Sequence, residues 1–232
     1  MVAIRGLEKF APKDFPGYIS STIFLGGCNF RCPFCQNPEL VLNPGSLPVI
    51  PQDFFLKFID SRKDWLEAVC VTGGEPLMHK DLQDLLKLIK KKGIRVKLDT
   101  NGSFPQRLET MIHEKLIDYA AMDVKAPLEK YSLAAGVNVN SENIEKSIQI
   151  LKNSPIDTMF RTTVVPGLIE EQDIKEIIRM LKGNSCFQLQ QFSPKKTLDE
   201  SYQKRKPFPK EKIQQFGNMA KKYFAEFKLE GV

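Results

Sequence analysis

Six short apolar runs, each answered by a stretch with helical spacing, constrain the fold of this chain more than any other feature. The runs are ISSTIFL (19–25), LEAVCVT (66–72), IRVKLDT (94–100), IDYAAMDVK (117–125), IDTMFRTTVV (156–165) and SCFQLQQF (185–192). LEAVCVT is nearly continuous in its apolar character, which suits a strand buried on both faces. Helices are predicted over 52–61, over about 105–115, on the spacings Ile144, Ile148, Leu151 and Ile174, Ile177, Ile178, Leu181, and over 209–227. The clearest face is Leu82, Leu85, Leu86 and Ile89, at i, i+3, i+4 and i+7. Asn101-Gly102 and Pro166-Gly167 end two of the strands with turn residues. Repeated βα units imply an α/β fold with a parallel sheet and right-handed crossovers. Six units suggest a partial (β/α)6 barrel rather than a complete ring of eight. Chemistry in βα barrels collects at the C-terminal ends of the strands. Here those ends carry GGC, GGE, DTNG and MDVK, with Arg161 on the fifth strand.

The 232 residues, with 42% hydrophobic and 27% charged, are enough for one soluble domain with a sizeable core. One domain over 1–232 is expected, with its core over about 15–200 and a C-terminal helix over about 209–227. No apolar run approaches the roughly 20 residues that span a bilayer, and the N-terminus has no apolar stretch of signal-peptide length. The expectation is a cytoplasmic protein with no membrane partner. The net charge of +6 comes mostly from KLIKKKGIRVK (87–97) and SPKKTLDESYQKRKPFPK (193–210). These runs read first as solvated surface and second as steering toward an acidic protein. They lack interleaved aromatics, so no nucleic acid is expected.

The third constraint is chemical. LGGCNFRCPFCQN (25–37) puts Cys28, Cys32 and Cys35 into eight residues with no fourth cysteine near. Structural zinc takes four ligands and an ordinary iron–sulfur cluster four cysteines. Three thiolates can hold three corners of a four-iron cube and leave one iron open to a small molecule. Zinc with a distant fourth ligand stays open as an alternative, with His79 and His113 as the imidazole candidates. Arg31 could offset cluster charge or face solvent. Cys70 and Cys186 read as core residues.

CNFRCPFC, a C-x3-C-x2-C spacing, resembles the signature of the radical S-adenosylmethionine (SAM) enzymes, and Phe34 before the last cysteine matches too. VTGGEP (71–76) resembles that family's glycine–glycine–glutamate segment. LDTNG (98–102), YAAMDVK (119–125), FRTTVVPG (160–167) and LQQFSP (189–194) resemble one subgroup, the glycyl-radical enzyme activases, and most of all those that activate anaerobic ribonucleoside-triphosphate reductase. The likeness runs from about residue 15 to 200.

The resemblance implies a 4Fe–4S cluster on Cys28, Cys32 and Cys35, with SAM chelating the open iron. It implies reductive cleavage of SAM and formation of a glycyl radical on a partner. That partner would be a glycyl-radical enzyme such as anaerobic ribonucleotide reductase, with an external electron donor such as flavodoxin or ferredoxin. Gly73, Gly74 and Glu75 would meet the SAM amino group; the structural alternative is a turn with Glu75 at a helix N-terminus. Arg161 would bind the SAM carboxylate through its fork of donors or pair with Asp99 or Asp123. Asp99, Thr100 and Asp123 become candidates for a monovalent-cation site. Asn101 would bond a ribose hydroxyl or form the turn its Asn-Gly pair favours. Lys125 would contact ligand or substrate backbone. Gln188 and Gln190 share a strand face and would line the site or sit on a half-exposed edge. The competing function is a radical SAM enzyme acting on a small molecule, for example in modified-nucleobase synthesis.

Overall fold

The computed structural model describes residues 2–231. Their contacts divide into two compact units, each assembled from three stretches of chain. The first takes the residues up to Asn29, Glu39–Thr100 and Gln106–Ala120; the second takes Phe30–Pro38, Asn101–Pro105 and the chain from Ala121 onward.

In the first unit β1 (Ile4–Glu8) runs antiparallel to β2 (Ser20–Leu25). After α1 (Pro38–Leu42) and α2 (Gln52–Asp60), β3 (Ala68–Gly73) lies parallel to β2 in the register Leu25 to Gly73. Helix α3 (Leu82–Lys91) leads to β4 (Arg95–Thr100), parallel to β3 with Cys70 opposite Lys97. Helix α4 (Pro105–His113) follows. The predicted face of α3 is the buried one: Leu82, Leu85, Leu86 and Ile89 are at most 1% exposed. Each such leucine contributes about 1.5–3 kcal/mol of burial.

The chain passes into the second unit within β5 (Tyr119–Asp123). There follow α5 (Tyr131–Ala135), α6 (Ser141–Lys152), β6 (Asp157–Val164), α7 (Glu171–Leu181), β7 (Gly183–Gln191), α8 (Lys210–Lys221) and β8 (Phe224–Glu230). Strands β6, β7 and β8 are parallel neighbours.

All six expected strands are present, with two more. β1 was not expected because Arg5 and Gly6 interrupt its apolar pattern and only Ile4 is fully buried. The helix expected over 209–227 is corrected: α8 stops at Lys221 and the chain turns into β8. Residues 222–227, KYFAEF, carry aromatics that pack on β7, with the Phe224 and Phe187 rings 4.6 Å apart. Sheet packing thus overrides a helix-tolerant composition. β8 also covers the side of β7 that the half-exposed-edge alternative for Gln188 and Gln190 left open, and Gln188 hydrogen-bonds Glu230 across that pair.

Candidate functional site

The expected residues fall into two groups, one within each unit. In the first unit, the GGC and GGEP segments meet because β2 and β3 are parallel and end together. Gly74 N–H donates to Leu25 O at 2.9 Å and Glu75 N–H to Gly27 O at 2.8 Å. The close approach dictates the glycines. Gly73 has φ +130°, and a Cβ there would lie 2.3 Å from Leu25 O; a Cβ on Gly74 would lie 1.8 Å from Gly27 O. The reason for glycine at both positions is therefore the seat of the cysteine loop itself.

Glu75 is completely buried. Its Oε1 accepts the Thr100 hydroxyl at 2.8 Å and Leu77 N–H at 3.0 Å, so the side chain also caps a short turn at Pro76–Met78. Arg107, which sequence reasoning missed, holds the other side of that turn through Leu77 O and Met78 O at 2.5 and 2.9 Å. His79 Nε2 bonds Gly26 O at 2.9 Å, which makes it a support of the cysteine loop. Burial lowers its pKa, against the smaller raising effects of Gly26 O and Asp81.

Asp99 and Thr100 end β4. Asp99 Oδ1 is 2.5 Å from Lys97 Nζ. Lys97 closes the basic run 87–97 that the sequence assigned to solvated surface. The assignment suits Lys87, Lys90 and Lys92, which pair with Glu114, Asp118 and Asp60. It is corrected for Lys97, which is 3% exposed inside β4. A run of like charges hides this because the strand begins within it.

In the second unit, Cys32 and Phe34 are buried and Cys35 is half-buried, with Cys35 N–H donating to Cys32 O at 3.0 Å. The loop is held by α5: Arg31 N–H donates to Ala135 O at 2.8 Å, and the Phe30 and Tyr131 rings meet edge-on at 6.4 Å. Gly136 ends α5 with φ +68°, and a Cβ there would lie 2.2 Å from Arg31 O. Arg31 itself is exposed, with its guanidinium on Phe30 O.

Asp123 joins two cations, Arg161 Nε at 2.7 Å and Lys125 Nζ at 3.0 Å. Burial alone would raise its pKa, but the Arg161 and Lys125 charges overcome this and hold the carboxyl well below the usual range. Burial would lower Lys125; the charges of Asp123 and then Cys32 outweigh it and raise its pKa. Of the two readings of Arg161, the structure contains the ion pair with Asp123. Asn101 Oδ1 accepts from Ser103 N–H and Oγ at 3.0 and 2.6 Å, the geometry of a side-chain-closed turn, and Gly102 has φ +77°. Cys70 and Cys186 are core residues, 1% and 7% exposed, and burial followed by the Glu226 charge pushes the Cys186 thiol up to about 11.

The donor set fits an iron–sulfur cluster. Cys28, Cys32 and Cys35, none of them in a disulfide, lie on one eight-residue stretch, and the backbone before Cys28 is seated on the GGEP segment. Among the described residues no three His, Cys, Asp or Glu side chains converge on a single ion. A four-iron cube binds each thiolate through a separate iron, so its ligands need not converge on a point. The fit to a monovalent cation is different: the carboxylates are already met by cations, Asp99 by Lys97 and Asp123 by Arg161 and Lys125.

The Radical SAM superfamily model matches residues 22–181, and the chain belongs to that superfamily: it is a radical SAM enzyme with the family's α/β fold, a class built on a 4Fe–4S cluster and SAM. Among its relatives, a protein of Methanocaldococcus jannaschii provisionally named glycyl-radical enzyme activating enzyme MJ1227 is 35% identical over 227 residues, 95% of this chain and 92% of that one. Pyruvate formate-lyase 1-activating enzyme of Escherichia coli is 28% identical over 177 residues, 73% of this chain and 70% of that one. Among solved structures, Streptococcus suis SuiB bound to its precursor peptide SuiA is 16% identical with a TM-score of 0.71 over 94% of this chain, and the chain spans about half of SuiB, 49%. No helix of the described residues is long and apolar enough to cross a membrane.

Proposed function

We propose that this enzyme generates a glycyl radical on a partner protein. The observation that carries the reading is the 35% identity with an activating-enzyme relative, which extends through 95% of this chain and 92% of the relative. Interleaving of the two units along the sequence supports their working as one radical SAM domain.

Cys28, Cys32 and Cys35 would hold the cluster, and Phe34 would wall it. When bound, the cluster and SAM supply a carbon radical, made by one-electron reduction, that can take hydrogen from a glycine Cα. The chain's own residues position and shield. Gly73 and Gly74 let the backbone approach the cysteine loop, where Gly74 N–H and Glu75 N–H donate to Leu25 O and Gly27 O. Glu75, fixed by Thr100 and Leu77, presents a buried carboxylate suited to the ammonium of an amino-acid ligand. In the second unit, Asn101, Lys125, Asp123 and Arg161 are the polar side chains suited to ligand contact. The ion pair with Asp123 orients the Arg161 guanidinium, a group whose fork of donors suits a ligand carboxylate.

Within this reading the partner is an anaerobic ribonucleotide reductase and the electron donor a flavodoxin or ferredoxin. LDTNG, YAAMDVK, FRTTVVPG and LQQFSP support that choice. The test is to mix the reduced, reconstituted enzyme and SAM with either an anaerobic ribonucleotide reductase or a pyruvate formate-lyase. The expected result is a glycyl doublet in the electron paramagnetic resonance spectrum with the reductase. A doublet only with the lyase reassigns the partner. SAM cleavage with no doublet on any partner favours a small-molecule substrate instead. Cys32→Ala is expected to abolish iron uptake, whereas Glu75→Ala keeps the cluster and weakens SAM binding by about tenfold or more, the cost of one charge-assisted hydrogen bond.

A further inference from the structure

We propose that Lys97 is the built-in counterion of Asp99, so that this chain takes no monovalent metal cation at that carboxylate. Lys97 and Asp99 stand two residues apart on β4 and therefore on the same strand face. Their contact is 2.5 Å, with the lysine side chain 4% and the aspartate 13% exposed. Lys97 Nζ also lies 3.6 Å from the sulfur of Cys70, opposite it on β3. An ammonium this deep is tolerated only beside an opposite charge. The carboxylate has the same need, and a single positive charge meets it. An ammonium is a compact +1 charge with three donors, and its stem here comes from the strand that carries the carboxylate.

The Thr100 hydroxyl donates its proton to Glu75 at 2.8 Å and keeps its oxygen lone pairs, so the exclusion rests on the ammonium at Asp99. An incoming ion would have to displace an ammonium tethered by its own backbone, which competes intramolecularly for the carboxylate. The cation site that the family resemblance implies is thus replaced, in the first unit, by a side chain. The inference deepens the reading of Asp99 as a residue of the SAM site and rests on that reading for its effect on SAM.

The test compares choline, sodium and potassium chlorides at equal ionic strength, using the full chain. Two quantities are read: the thermal midpoint without SAM, and SAM affinity of the reconstituted enzyme. The wild type is expected to have the same midpoint in all three salts and SAM affinities within about twofold. Lys97→Met is expected to bind SAM about tenfold more weakly in choline. Sodium or potassium should restore its affinity and raise its midpoint saturably, as linkage to a bound ion requires. A wild type that is stabilised by sodium or potassium over choline, or that loses SAM affinity without them, overturns the proposal. So does a Lys97→Met variant with no metal response. If Lys97→Met does not fold, sodium-23 relaxation with the wild type decides: no saturable, potassium-displaced broadening is expected, and its presence overturns the assignment. If SAM binds under no condition, the functional reading fails while the midpoint and relaxation measurements still judge the counterion.

Discussion

Gly74 shows how little freedom individual residues have at this site. A methyl group there would sit 1.8 Å from the carbonyl oxygen of Gly27, one residue before Cys28. Gly74→Ala must therefore move either the end of β3 or the cysteine loop. A loss of about 2–4 kcal/mol in urea unfolding is expected, together with less iron per chain after anaerobic reconstitution. Asp123 carries the pH dependence. Its folded pKa lies below the unfolded value of about 3.9. Its contribution to stability is then complete above about pH 4 and is lost as the pH falls toward the folded pKa. The side chain is 32% exposed, so screening limits the effect. Asp123→Asn is expected to cost about 1–2 kcal/mol at pH 7. The difference from wild type should narrow steadily as the pH falls below about 4, measured as urea midpoints. The glycines and cysteines of these groups were legible because a rare residue at a fixed spacing is a local signal. Arg107, His79 and Lys97 were not, since an arginine on a carbonyl pair or a lysine inside a strand has no local signature.

At the scale of elements, the helices were legible where one face carries the core. α7 adds its own start signal: the Glu170 side chain accepts from the backbone of Asp173, and Asp173 accepts Glu170 N–H at 2.9 Å. Glu170→Ala is expected to cost about 1 kcal/mol in chemical denaturation. β8, like β1, is a strand the sequence did not reveal, and it pairs with β7. Removing the chain from Phe224 onward would strip a parallel neighbour from β7 and expose Phe187, which is fully buried. A long apolar strand edge is an association hazard. The truncated chain is expected to be less soluble and to form oligomers in analytical ultracentrifugation.

For the whole molecule, connectivity matters more than any one contact. Each compact unit draws on three separated stretches, so no single cut in the chain separates them. One cooperative transition is therefore expected: fluorescence of Trp65, the one tryptophan, and far-ultraviolet circular dichroism should give the same urea midpoint. The sequence by itself determined the α/β class, the six βα units and the superfamily, because hydrophobic period and cysteine spacing are written in neighbouring residues. It could not decide which of its charges are inside. Lys97 looks like any other basic residue of the 87–97 run, Arg161 reads equally as a partner of a ligand carboxylate or of Asp99 or Asp123, and those two aspartates serve equally well on paper as ligands of something else. Only folding fixes which side of a strand a side chain occupies and which opposite charge it finds there. Burial makes that pairing obligatory, because a charge removed from water must be met by another.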